Sequence, residues 1–153
     1  MQSQQDDSEM VRVEGLSKSF TLHNKGGIRI PVLRDASLVV RRGECVVLAG
    51  VSGAGKATLL RSIYANYLAK AGSIRVRHDN AWVNLVGAAP HVVLDIRERS
   101  LGYVSQFLRV IPRISAIDLV AQPLLSRGVD PTAALDQAGT MLGRLAIPQA
   151  LWD

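Results

Sequence analysis

Apolar and polar residues alternate through the first forty positions of the chain. Val11–Glu14, Ser17–Leu22, Arg29–Leu33 and Ala36–Val40 each read as short extended segments with one apolar face. Asn24–Gly27, which reads Asn-Lys-Gly-Gly, predicts a turn between the two pairs. At Glu44–Ala49 (ECVVLA) alternation gives way to a continuous apolar run, the pattern of a strand buried on both faces. A glycine-rich turn follows at Gly50–Gly55. A helical pattern comes next, with Leu59, Leu60, Ile63, Tyr64 and Tyr67 on one side. Ser73–Arg77 and Ala81–Val86 flank Asp79-Asn80 and predict a hairpin, and Leu101–Ser105 predicts another short strand.

After Pro112 the pattern becomes helical. Ser115 suits the N-cap of a helix over Ala116–Leu125, despite Pro123 within it. Asp130-Pro131 is a stronger start, a capping carboxylate followed by proline at the first helical position. From there Ala134, Leu135, Ala138, Met141, Leu142 and Leu145 recur at helical spacing. The polar, acidic residues 1–10 predict an unstructured leader that is neither a secretory signal nor a transit peptide.

Composition narrows the class. The 153 residues suit one domain, and 48% hydrophobic against 20% charged residues excludes a disordered chain. No apolar run approaches the roughly 18 residues of a membrane span. Direct membrane insertion is not expected, and a cytoplasmic location is. The single cysteine, Cys45, excludes an internal disulfide framework and a cysteine-based zinc site. The net charge of +5 concentrates before residue 77, where 11 basic side chains face 6 acidic ones. No basic block exceeds Arg41–Arg42 and only 5% of residues are aromatic, so a phosphate-binding loop accounts for the charge and no nucleic-acid partner is expected.

The chemistry lies in Gly50-Val51-Ser52-Gly53-Ala54-Gly55-Lys56-Ala57-Thr58. Glycines at 50, 53 and 55 let the backbone turn tightly and approach a ligand closely. Successive N–H groups then converge, and the helix that follows adds its positive N-terminal end. Lys56 supplies a mobile charge for terminal phosphates. The plainer alternative is a glycine-rich strand–helix turn with one surface lysine. One position departs from the Gly-x4-Gly-Lys-[Ser/Thr] pattern, whose last hydroxyl ligates Mg²⁺. Here it is Ala57, and Thr58 points about 100° away around the helix. The phosphate cradle is expected to survive with a weakened Mg²⁺ site.

The stretch resembles the Walker A loop of ABC-type ATPases, and Leu38–Glu44 resembles that family's lead-in strand and Gly-Glu turn. The resemblance implies an α/β P-loop NTPase fold with ATP and Mg²⁺ as ligands. The cofactor-binding set is then Phe20, Gly50, Ser52, Gly53, Ala54, Gly55, Lys56, Ala57 and Thr58. Leu16-Ser17-Lys18-Ser19-Phe20 is similar to the segment carrying the adenine-stacking aromatic, which makes Phe20 that ring; a packed hairpin phenylalanine is the other reading. Gly102-Tyr103-Val104-Ser105-Gln106 resembles the Q-loop and places Gln106 near Mg²⁺ and the attacking water. It also implies an incomplete ATP-binding domain over 11–153, with a core over 11–106 and a helical subdomain over 107–153.

Ile30–Leu33, Leu60–Leu68, Ile74–Asp79, Trp82–Val86 and Ser105–Arg113 resemble one branch more closely. It is PhnL of the phosphonate carbon–phosphorus lyase system. That likeness implies action with PhnG, PhnH and PhnI to form ribose 1-phosphonate 5-triphosphate from ATP and a phosphonate. Two alternatives stand beside it. One is a transport ATPase of the lipoprotein-releasing or macrolide-exporter type, with a second ABC subunit as partner. The other is a non-catalytic nucleotide-binding or interaction module.

Other parts of the family pattern are missing. Val92-Val93-Leu94-Asp95 imitates the Walker B strand, but Ile96 stands where Glu is required and the stretch precedes the Q-loop. It is expected to be structural, with Asp95 solvated. No Ser-Gly-Gly signature occurs, and His23, His78 and His91 all precede Gln106, so each is expected at the surface or in a turn. No residue is assigned a catalytic role. The resemblance implies a cassette lacking its C-terminal half, inactive in hydrolysis, of low stability and prone to aggregate through Val46, Val47 and Leu48.

Overall fold

A computed structural model describes residues 7–106 and 112–152. The chain divides between Tyr103 and Val104 into two compact units. In the first, β1 (Glu9–Leu22), β2 (Ile28–Arg41), β3 (Ala71–His78) and β4 (Ala81–Asn84) form an antiparallel sheet in the order β2-β1-β3-β4. Among the described residues two α-helices accompany it, α1 (Lys56–Ile63) and α2 (Pro90–Arg99). Val13, Leu16, Leu33, Leu59, Ile74, Val76, Leu85 and Ile96 form one buried core. Leu16, Ile74 and Ile96 are its largest fully buried side chains.

The four short segments predicted before residue 41 merge into β1 and β2, each of 14 residues. Their register slips between Val13 and Lys18. There Gly15 (φ 60°) and Asp35 (φ 51°) adopt left-handed backbone. Two serine hydroxyls replace the interrupted ladder: Gly15 N–H donates to Ser37 Oγ at 3.2 Å and Asp35 N–H to Ser17 Oγ at 3.2 Å. Bulged antiparallel strands keep pairing through such irregularities, which alternation alone does not reveal. The Asn24–Gly27 turn joins the two strands, with Gly26 in the left-handed region. The Asp79-Asn80 hairpin is present too, both residues having positive φ as a type I′ turn requires.

Several expectations need correction. The leader is ordered from Asp7 onward, because β1 begins at Glu9, Arg42 N–H donates to Ser8 O at 2.7 Å and Asp7 pairs with Arg77. Residues 1–6 lie outside the described residues. Glu44–Ala49 pairs with no strand among the described residues, and Val47 is 82% exposed; only Leu48 reaches the core. Leu101–Ser105 likewise joins no strand. An apolar run specifies burial, but a strand also needs a ladder partner. Helix α1 is only 8 residues long, so Tyr64 is its C-cap, Tyr67 lies beyond it and Leu60 faces solvent.

Val92–Asp95 is helical, within α2, and Pro90 at its first turn sets the start. His78 is buried rather than exposed. Its Nδ1 lies 2.8 Å from Ser100 Oγ and its Nε2 2.9 Å from Asp95 Oδ2.

The second unit contains α3 (Ala116–Leu125) and α4 (Pro131–Arg144), with bounds matching the capping signals. Ser115 Oγ accepts from Asp118 N–H at 3.1 Å, and Asp130 Oδ2 from Ala133 N–H at 3.2 Å. Ala121, Ala134 and Ala138 are buried where the helices meet. Trp152 closes the unit: its Nε1 donates to Ile147 O at 3.1 Å and its carbonyl accepts from Ile117 N–H at 3.0 Å. Phe107–Ile111, part of the stretch quoted for the PhnL likeness, lie outside the described residues. No helix among the described residues is long and apolar enough to cross a membrane.

Candidate functional site

The loop at Gly50–Gly55 bends through three glycines of positive φ, Gly50 (140°), Gly53 (80°) and Gly55 (91°). Gly55 is the demanding position. A Cβ there would stand 3.0 Å from both Leu33 Cδ2 and Val32 O. The backbone therefore lies flat against β2 just where it turns into α1, with Gly55 as N-cap. Leu59 N–H donates to Gly55 O at 2.9 Å, closing the first helical turn. The first amides of α1 have no intrahelical acceptor, and no acidic side chain sits in that turn. The helix end thus offers donors and a positive dipole to an anion.

Lys56 folds back over this loop. Its Nζ donates to Gly50 O at 2.7 Å and Val51 O at 2.8 Å. Ala54 N–H donates to Val51 O at 3.3 Å, tightening the turn from inside. Ser52, Gly53, Ala54 and Ala57 are exposed, and Thr58 is half-buried with its carbonyl accepting from Ser62 Oγ at 2.8 Å. Ala57 presents a methyl group where a metal-ligating hydroxyl is expected, so the donor set at the loop does not fit a Mg²⁺ held by that position. No group of three or more His, Cys, Asp and Glu able to hold a metal occurs among the described residues.

Phe20 is tied to the loop through the sheet. Leu33, which packs on Gly55, is the ladder partner of Lys18, two residues from Phe20. The Phe20 ring meets Tyr67 edge-to-face, centroids 5.2 Å apart. Lys18 Nζ lies over both rings, at 5.2 and 5.8 Å, and donates to Leu68 O at 2.6 Å. Phe20 and the residues from Gly50 to Thr58 both lie in the first unit. Gln106, exposed at a bend, belongs to the second unit.

A polar cluster about the buried His78 escaped the sequence reading. Asp95 bonds both His78 and Arg99, and Arg99 also bonds Asp79. The Arg99 guanidinium, with His78 as a lesser contributor, pulls the Asp95 pKa down to about 2. The only sequence signal was the i,i+4 spacing of Asp95 and Arg99. An open groove of about 610 Å³ beside this cluster carries Arg42, Arg77 and Arg99. Pairing of Arg77 with Asp7 and of Arg99 with Asp79 balances two of these charges.

The sequence model of the ABC transporter family matches residues 33–151, which include the loop and α1. The chain belongs to the ABC transporter family. Among curated relatives of this ABC-family chain, the lipoprotein-releasing system ATP-binding protein LolD of Bordetella avium is 41% identical over 137 residues, covering 90% of this chain and 56% of the relative. LolD of Myxococcus xanthus is 33% identical over 138 residues, covering 90% and 58%. The chain thus spans somewhat more than half the length of these relatives.

A solved dimeric ATP-binding cassette, MJ0796 in a post-hydrolysis state with ADP and Pi, superposes with a TM-score of 0.78 at 23% identity. It covers 94% of this chain and 60% of that one. This is the ABC ATPase fold, of which the chain contains part. The relatives favour the lipoprotein-release alternative over the PhnL branch.

Proposed function

We propose that this ABC-family chain is the nucleotide-binding part of a transport ATPase of the lipoprotein-releasing type. The observation that carries the proposal is the geometry at Gly55: a glycine pressed on Val32 and Leu33 starts α1, whose first amides lack intrahelical acceptors, beside the loop carbonyls on which the Lys56 ammonium rests. Amides and ammonium together are what a polyphosphate needs. The backbone from Gly50 to Thr58 would bind the phosphates. Lys56 would exchange its bonds to Gly50 O and Val51 O for bonds to the terminal phosphate oxygens, and Phe20 would stack on adenine.

Mg²⁺ normally neutralises the terminal phosphates in such proteins. With Ala57 at the ligating position its hold is weaker here, and Lys56 carries more of the neutralisation. Binding is the step that these residues support. The names of the Bordetella and Myxococcus relatives support a lipoprotein-releasing context. A second ABC subunit, a membrane permease and a position at the cytoplasmic face belong to the same proposal.

Isothermal titration with ATP tests the binding step, and saturable one-site binding is expected. Absence of heat and of competition by ADP would overturn it. Affinity purification from native membranes tests the context. Recovery of a permease supports lipoprotein-type transport, whereas recovery of soluble PhnG, PhnH and PhnI would restore the carbon–phosphorus lyase assignment.

A further inference from the structure

Tyr67 lies outside α1, yet it is anchored on several sides. Its hydroxyl accepts from Arg61 Nη1 at 2.9 Å, and the same guanidinium lies 5.8 Å from the ring centroid. Its ring meets Phe20 at an interplanar angle of 81°. Lys18 fills the corner between the two rings, and its bond to Leu68 O ties it to the residue next to Tyr67. The strand that carries Phe20 is secured at the same point, because Lys70 N–H donates to Ser17 O at 3.1 Å.

A half-buried phenylalanine near a strand end ordinarily samples more than one rotamer. Here an edge-to-face ring and a cation restrict it, and both are held by further bonds. We infer that Tyr67, braced by Arg61 and Lys18, is a positioning residue that fixes the Phe20 ring as a preformed stacking platform for the nucleotide base. The inference rests on the proposed stacking role of Phe20 and assigns Tyr67 no contact with the phosphates. Preformed order matters because a platform that is already fixed loses little entropy when the base lands on it.

Base and phosphate contributions separate when ATP is compared with inorganic tripolyphosphate, which has no base to stack. Both ligands would be titrated into the wild-type chain and into Phe20→Ala, Tyr67→Ala and Tyr67→Phe. Tyr67→Ala is expected to weaken ATP by about five- to tenfold, within the range of a lost aromatic–base stack. Tripolyphosphate affinity should not change, and Tyr67→Phe should recover most of the loss because the ring edge remains.

Combining Tyr67→Ala with Phe20→Ala should cost no more than Phe20→Ala alone, since one acts through the other. If Phe20→Ala weakens ATP while Tyr67→Ala does not, the positioning role is wrong and the stacking reading stands. If Phe20→Ala leaves ATP unchanged, the stacking reading fails and takes the inference with it. Equal weakening of both ligands by Tyr67→Ala would show a general structural role and overturn the proposal.

Discussion

The backbone of Gly55 rests on Leu33, with room for a hydrogen and not for a methyl group: a Cβ would lie 3.0 Å from Leu33 Cδ2. Its φ of 91° is also outside the range that L side chains favour. Gly55→Ala therefore meets both a backbone penalty and a clash. A loss of about 2 kcal/mol or more is expected, read as a lower urea midpoint at unchanged slope.

Lys56 contributes the only side-chain charge that reaches the loop carbonyls of Gly50 and Val51 among the bonds described. Lys56→Ala should lower ATP affinity by about tenfold or more, measured by titration calorimetry. An unchanged dissociation constant would mean that the loop is not a phosphate cradle.

Ala57 offers no oxygen. Restoring a hydroxyl with Ala57→Ser should make ATP binding respond to Mg²⁺ where the wild-type chain responds little. Titrations with ATP in Mg²⁺ and in EDTA check this, and equal responses in both chains would remove Ala57 as the cause.

Asp95 supplies a pH signature. Its pKa falls from an ordinary 3.8 to about 2, first through Arg99 and then through His78. A carboxyl with a depressed folded-state pKa stabilises the fold above its unfolded value and loses that contribution as pH falls through the folded one. Asp95→Asn should therefore lower the melting temperature at pH 7. The difference between the two chains should shrink between pH 4 and pH 2. A difference that is constant with pH would indicate packing rather than charge.

Two glycines of α4 separate steric from conformational effects. A Cβ at Gly143 meets nothing within 4 Å, whereas one at Gly139 would stand 3.1 Å from Trp152 Cζ3. Gly143→Ala should stabilise by about 0.5–1 kcal/mol through reduced unfolded-state freedom. Gly139→Ala should gain nothing or lose, because Trp152 must move. Thermal melts of the two variants decide it.

Much of the local structure was legible because its causes are local. Ser115 and Asp130 cap helices by bonds to residues three positions on, and Asp79-Asn80 make a turn by their own backbone preferences. The loop from Gly50 to Lys56 was readable for the same reason. What was misread depends on distant partners. Val46 and Val47 look like a buried strand until a ladder is sought, and the Val92–Asp95 run is helical because Pro90 starts a helix there. His78 is buried because Asp95 and Ser100 converge on it from elsewhere in the chain, and the contact of Phe20 with Tyr67 spans a still longer separation. No window of sequence contains such pairs.

The loop is supported unequally from its two sides. Downstream, Gly55 and Leu59 are clamped against β2 and the core, while upstream Val46, Val47 and Val51 are open to solvent. A ligand drawing the backbone from Gly50 to Gly53 around itself must therefore immobilise the upstream arm as it binds. That ordering offsets part of the free energy gained from the new bonds and appears as an unfavourable binding entropy. Bracing the Cys45–Ala49 segment would raise affinity without adding a single contact to the nucleotide.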